Sequence, residues 1–590
     1  MKKDLSARLM KKGLSPRLCL DCTQLLSSDR SVPISELHTP AKDCALCKLL
    51  HHVVLRYHSE GQKRIDIFRN GSALKIAEGG PRILRLFADL GPSINSRNDI
   101  KTEPPFLQAI DCSPTGSAPY FQLLREWLRE CDQNHICGKR KPYWPTRVIF
   151  VGGPGTKTLK LRKQPYGPEQ KNRLDYIALS HCWGTLTDEE KEQFCTTKDN
   201  YPLRSEGFSF NDLPKTFQDA VEVTQQLGKE YLWIDSICII QKDSKDWEDE
   251  AGLMEDIFAS AYCTIAASRA TSCKDGFLEG NPRSQYVQIQ DIKGRRVDVC
   301  DFDNDVDEGP LNKRAWVLQE RVLSRRTIHI SAEQTYWECG EGVRCDNFTR
   351  LECPPGKQYF VIDPDFPKRL TASGYDRTVE FVQFFFEKYS RCGLSYESDR
   401  STAISGLVKR IEGALKTEAR YGVFSCFLNR LLLWKRSDEK KTAPIVYPGG
   451  KEPPSWSWMA YYGGIDFVST LRFRVPNSEG LRFDTDKEAI ISKIRQFKNC
   501  RLEQQEKEHA IFADQERVGS LWFDMAADIE SKSINCVVVA MDDDAKEDPQ
   551  KTYYILAVRG NQKKNGYERL GVGKVKALYV SMESDIGKLV

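Results

Sequence analysis

Residues 314–321 read Arg-Ala-Trp-Val-Leu-Gln-Glu-Arg, and in a helix Trp316 and Glu320 fall one turn apart on the same face. An acid beside an aromatic plate suits a glycosidic bond to a nucleotide base. The ring can stack on a planar group while the carboxylate supports positive charge that develops on the sugar. The same pair also occurs on amphipathic helices whose indole is core and whose carboxylate is solvated, so its meaning depends on the elements around it.

Cysteine spacing offers a second chemistry. Cys19 with Cys22 and Cys44 with Cys47 form two C-x-x-C pairs, separated by a loop length compatible with a closed, structural, tetrahedral zinc site in which His38 could replace one thiol. Cys131, His135 and Cys137 follow Trp127 at tighter spacing and read as packing residues or a helix end rather than a second metal site. Cys339 and Cys345 stand alone and carry no reading.

The elements that must position these residues alternate between apolar runs and helical patterns from Arg147 to about Ser331, the signature of a sheet with crossover helices. Tyr176-Ile-Ala-Leu-Ser180 reads as a buried strand, followed by His181, Cys182, Trp183 and Gly184 in a turn. Ligands dock at the carboxyl ends of strands in open α/β sheets, which makes Ser180, His181 and Trp183 candidate pocket residues. Phe217, Ala220, Val221, Thr224 and Leu227 recur at helical spacing after Pro214, with Asn211 or Asp212 as the cap and Gly228 as the stop. Tyr231–Ile240 reads as a strand with Asp235 in its middle, and a buried Asp needs backbone donors or a cleft. Asp246 is expected to cap a helix with Trp247, Ala251, Met254, Phe258 and Ala261 on one stripe, with Glu250 on its flank. Cys263–Ser268 and Thr327–Ser331 read as two further strands.

The chain divides into a Cys-rich region at 1–146, an α/β unit at 147–352 and a mixed α+β region at 353–590. The last contains helical patterns at Val379–Tyr389 and Ser401–Leu415 and strands at Ile534–Ala540 and Tyr553–Val558. Its 590 residues exceed one ordinary domain, and 87 basic against 83 acidic side chains leave a net charge of +4, which does not point to nucleic acid. No apolar run approaches the roughly eighteen residues of a membrane span. The basic start lacks the apolar centre of a secretory signal, so a cytoplasmic location with reduced thiols is expected, without membrane or nucleic-acid partners.

The blocks YIALSHCWG, LPKTFQDAVEV, YLWIDSICIIQKDSKDW, MEDIFASAYCTIAAS and RAWVLQERVLSRRTIHIS resemble, in order, the fungal heterokaryon incompatibility (HET) domain family. Tyr389-Ser390 with Asp399, Gly406-Leu407, Leu432-Leu433-Trp434, Pro454–Trp458 and Tyr567–Gly573 extend the likeness. The resemblance implies fungal self/non-self recognition and regulated cell death. The HET domain is in turn similar to TIR domains, which implies a flavodoxin/TIR-like parallel sheet core and, by analogy with TIR enzymes, cleavage of NAD. Under that likeness Glu320 takes the catalytic role, Ser268 and Trp316 precede it in the expected order, Ser180–Gly184 match the turn after the first strand, and Ile234-Asp235 match the second. A long segment between Ser268 and Trp316 departs from the TIR pattern.

The expected substrate is NAD or a related nucleotide, cleaved at the nicotinamide–ribose bond. Glu320 would stabilise the charged ribose, Trp316 or Trp183 would stack, and Asp235 or Ser180 would bind ribose hydroxyls. Nicotinamide leaves from a cationic state, so a single acid suffices where ordinary glycosidases use two. The alternative is a non-catalytic TIR-like module that signals by self-association or through a recognition partner.

Overall fold

The computed structural model describes residues 115–590 apart from 140–142, 164–174, 280–294, 300–301, 347–349, 352–365, 438–442, 449–451, 469–472, 475–479, 526–533, 543–550 and a few isolated positions. Before residue 115 it describes only the strands Ser31–Pro33, Asp66–Asn70, Ala73–Ile76 and Arg82–Ala88, which pair in sequence order and are joined at one edge by Arg295–Val299. Cys19, Cys22, His38, Cys44 and Cys47 lie outside the described residues.

A ten-stranded sheet forms the centre. Its strands are β1 (Arg147–Phe150), β2 (Thr158–Lys163), β3 (Tyr176–Ser180), β4 (Phe208–Ser209), β5 (Tyr231–Trp233), β6 (Cys263–Ala266), β7 (Arg326–Ile330), β8 (Thr335–Cys339), β9 (Gly342–Cys345) and β10 (Arg350–Leu351). They lie in the order β10-β9-β8-β7-β6-β3-β5-β1-β2-β4. The four inner strands β7, β6, β3 and β5 pair in parallel, while every pairing outside them is antiparallel. The expectation of a parallel sheet is therefore corrected to a mixed one. Continuous burial along β3, β6 and β7 explains the unbroken apolar runs that mark strands covered on both faces. Strand β2, next to the edge strand β4, instead alternates buried residues with half-buried or exposed ones.

Helix α1 (Ala118–Asn134) begins at Ser117, whose side chain accepts from the Tyr120 N–H, and buries Tyr120, Leu124, Trp127, Leu128 and Cys131 on one face. Trp127 meets Trp337 of β8 with ring centroids 6.4 Å apart. Helix α2 (Lys215–Gln226) starts directly after Pro214 with no side-chain cap, because Asn211 and Asp212 are occupied in a short turn at Phe210–Asp212. Gly228 stops it as expected, in the left-handed region at φ 71°. The expected strand at 231–240 is shorter. It ends at Trp233, and Asp235–Cys238 turns once as a helix, so Asp235 sits at the strand's end and accepts from the Ser236 N–H.

The helix expected after Asp246 is two helices, α3 (Ser244–Ala251) and α4 (Met254–Ser260), with Gly252 and Leu253 between them. Asp243 caps α3, while Asp246 accepts from Arg147 and from the Ile240 N–H. Glu250 is buried and 3.4 Å from Arg147.

Helix α5 (Ala315–Leu323) packs against the parallel strands. Val317 packs with Cys182 and Ala266, and Ser324, just past the helix, bonds Thr264 of β6 at 2.6 Å. Arg321 makes a paired contact with Glu338 of β8 at 3.1 and 3.2 Å and also binds Asp307, while His329 lies 2.7 Å from Glu338. Burial, the largest single influence, pushes the Glu338 carboxyl up, yet the Arg321 charge and the hydrogen bonds and charge of His329 and Arg321 together outweigh it and hold that carboxyl below its ordinary value.

Beyond residue 366, helices α6 (Tyr375–Ser390) and α7 (Ser405–Leu415) fall where their periodicity places them. A second, largely antiparallel sheet follows. Five of its strands, Ile490–Gln496, Asn535–Asp542, Thr552–Asn561, Gly566–Lys576 and Asp585–Leu589, pair in a closed cycle. Closure removes the open edges of those five strands. Trp456 and Trp458 are fully buried core.

Replacing Arg321 by Met leaves Glu338 buried without its cation and is expected to destabilise the fold by about 3–5 kcal/mol, seen as a lower denaturation midpoint. The double change with Glu338→Met should recover most of that loss. A double variant no more stable than the single one would show that the pair is not the unit that matters.

Candidate functional site at the end of the parallel strands

From β3 the chain passes to β5 on one side of it, then returns to β6 on the other. Connections therefore diverge at the carboxyl ends of β3 and β6, a place where open α/β sheets form a crevice. Ser180 is the last residue of β3, and its hydroxyl donates to the Glu320 carboxylate of α5. This contact joins residues 140 positions apart.

Glu320 is 6% exposed. Burial raises its pKa to about 7, opposed by the Ser180 hydrogen bond and the Arg314 charge and reinforced by Asp235. Arg314, just before α5, donates to the His181 carbonyl and fixes the turn that follows β3. That arginine begins the RAWVLQER run but was not among the residues singled out by sequence. Its only signal was its place directly before a helix that carries a buried acid.

His181 is buried edge-on against Phe217, with centroids 4.9 Å apart, and burial lowers its pKa to about 4. The imidazole is therefore neutral near pH 7. Its Nδ1 lies 3.7 Å from Asp235, too far for a hydrogen bond, and its Nε2 is buried with no partner among the described residues. Trp183 donates from its indole to Asp235 at 2.8 Å. Gly184 has φ 72°, and a Cβ there would stand 2.5 Å from Ser272, so the turn needs glycine for both conformation and space. Ser180, His181, Trp183, Gly184, Asp235 and Glu320 thus surround the ends of two neighbouring parallel strands.

Two candidates lie apart from this network. Trp316 is half-buried, packs edge-on against Trp247 of α3 at 6.4 Å and hydrogen-bonds Asp399. Gln319, on the same flank of α5, accepts from the Gly406 N–H. Indole and carboxylate are one turn apart as expected, but the first serves the later part of the chain and the second the sheet. Ser268 is 1% exposed and its hydroxyl makes a 3.5 Å contact with the Ala266 carbonyl.

Residues 176–320 match the family model described as Heterokaryon incompatibility protein (HET). This segment is a HET domain. The match opens on the first residue of β3 and closes on Glu320, the two ends joined by the Ser180–Glu320 contact. Neither the curated proteins nor the solved structures searched contain a match to the chain. Among the described residues, no helix is long and apolar enough to cross a membrane.

A separate group flanks the HET domain. Cys131, His135, Cys137 and Cys339 have ligand atoms all within 4.8 Å of one another, a set that could hold a metal ion. Cys131, His135 and Cys137 lie at a helix end, with both cysteines buried, as the sequence suggested, whereas Cys339, read as isolated, joins them. Hydrogen bonding within the group lowers the Cys137 thiol and raises that of Cys131. Cys345 is apart from it, buried beside Gln334.

The raised pKa of Glu320 has a stability consequence. Folding favours its protonated form, so its contribution is fully present below about 4.5 and is lost as pH rises through about 7. Glu320→Gln keeps the shape without the charge. It is expected to be more stable than the parent at pH 8 by up to about 3 kcal/mol, and by under about 1 kcal/mol at pH 5. Thermal unfolding of both proteins at the two pH values measures this, and a Gln variant no more stable than the parent at pH 8 contradicts it.

Proposed function

We propose that the HET domain hydrolyses NAD at the nicotinamide–ribose bond with Glu320 as the charge-stabilising residue, and that the protein acts in fungal self/non-self recognition and regulated cell death. The observation that carries the reading is a buried carboxylate held by Ser180 at the end of a central parallel strand, where the chain changes direction across the sheet. The inner strands lie in the order second, first, third, fourth, which is that of doubly wound, flavodoxin-like sheets.

In this reading the ionised Glu320 faces the ribose as its bond to nicotinamide lengthens, and its charge is worth more against the developing cation than against the ground state. Burial strengthens that interaction, and Ser180 and Arg314 offset the cost of ionisation. Asp235, held by the Trp183 indole and the Ser236 N–H, takes ribose hydroxyls, and His181 supplies an unpaired ring nitrogen. Trp183 supplies the stacking surface, because Trp316 is committed to Trp247 and Asp399.

A second reading is a non-catalytic module that signals by self-association or partner contact. The same burial favours it, since an acid 6% exposed and bonded to Ser180 is also what a structural carboxylate shows.

Incubation of purified protein with NAD, with and without forced oligomerisation, separates the two readings. Release of nicotinamide is expected, falling by about 10²–10³-fold in Glu320→Gln. The parent's kcat/KM should rise with pH and level off above about 7, since the ionised acid is the active form. A folded Gln variant that releases nicotinamide and kills cells as well as the parent rules out the assignment, and no release under any condition leaves the signalling reading.

A further inference from the structure

We propose that Cys131, His135, Cys137 and Cys339 bind a zinc ion that ties α1 to strand β8. The four come from three elements. Cys131 and His135 are four apart, in the last turn of α1 and at its C-cap, and therefore share one side of the helix end. Cys137 follows in the single turn Ile136–Gly138, which folds its thiol back beside them. Cys339 is the last residue of β8, 204 positions away from His135.

The distances suit zinc. A tetrahedral ion with bonds of about 2.3 Å to sulfur and about 2.0–2.1 Å to nitrogen sets neighbouring ligand atoms about 3.6–3.8 Å apart. Cys339 Sγ and His135 Nδ1 are 3.6 Å apart, and the whole set lies within 4.8 Å. Three thiolates with one imidazole are ligands for zinc rather than for magnesium or calcium, and four protein ligands leave no open position, so the site is structural.

The surroundings are those of a metal site. The Gly340 N–H reaches the Cys137 sulfur and the Glu341 N–H reaches the Cys339 sulfur, both from the turn that follows the fourth ligand. Arg325 donates to the carbonyls of Cys137 at 2.9 Å and Ile136 at 3.2 Å and holds the ligand-bearing turn in place. Such outer contacts orient the ligands and offset charge on the thiolates. All three cysteines are free thiols, and each would release its proton to solvent on binding the ion.

The test is metal analysis of the full chain purified without chelator, with a Cys19→Ser/Cys22→Ser variant made in parallel to account for any zinc held by the early C-x-x-C pairs. Cys339→Ser is expected to lose one zinc per chain relative to the parent, and the Cys19/Cys22 variant to keep that zinc. With cobalt(II) in place of zinc, the parent should show the visible bands of a tetrahedral thiolate site. His135→Cys should keep the metal and shift those bands to longer wavelength, which decides the matter if Cys339→Ser does not fold. Three outcomes overturn the proposal: equal zinc in parent and folded Cys339→Ser, iron in place of zinc, or a disulfide among these cysteines with no metal. None of these readouts depends on NAD cleavage.

Discussion

The placement of α5 on the sheet depends on one buried ion pair. Arg321 and Glu338 have side-chain exposures of 5% and 2%, and removing two such charges from water costs several kcal/mol each. The pair repays that cost only because its geometry is two-pronged and because Asp307 and His329 satisfy what remains. The next residue back is Glu320. A helix fixed in rotation by Arg321 delivers Glu320 to Ser180, so the charge of the candidate site is aimed by a neighbour that takes no part in it.

Strand β8 serves both faces of the sheet. Alternation sends Glu338 toward α5 and Trp337 and Cys339 to the opposite side, where Trp127, Cys131 and His135 of the α1 end meet them. On the first face Tyr336 binds Asp305, and Phe302 lies under the Arg321 guanidinium at 5.3 Å. One short strand beyond the HET match thus receives both the helix bearing the buried acid and the helix that precedes the domain.

The later part of the chain closes around α5. Asp399 takes the Trp316 indole, Gly406 binds Gln319, Lys388 reaches Asp307 at 3.4 Å, and Arg410 pairs with Glu255 of α4. The blocks past residue 430 also converge. Arg569 pairs with Asp524 and donates to the carbonyls of Leu432 and Trp434, and the Trp434 indole donates to Trp456. Residues far downstream of the segment matched as a HET domain thus cover α5.

Periodicity and local chemistry made the inner strands, α2, α6 and α7 legible, along with the turn that places Ser180 at a strand end. Each rests on contacts within one turn or one strand, which spacing records directly. Three features were not legible for the same reason in reverse. The antiparallel flanks depend on which edges later strands reach. Trp316 and Glu320 diverge because different neighbours stand beside adjacent sides of one helix. The fourth cysteine of the cluster stands 204 positions from its histidine partner. Spacing along the chain determined which side chains share a turn. Only the path of the chain through space decided which of them meet across the sheet, because burial and ligation act on distance in three dimensions and leave no period in the sequence.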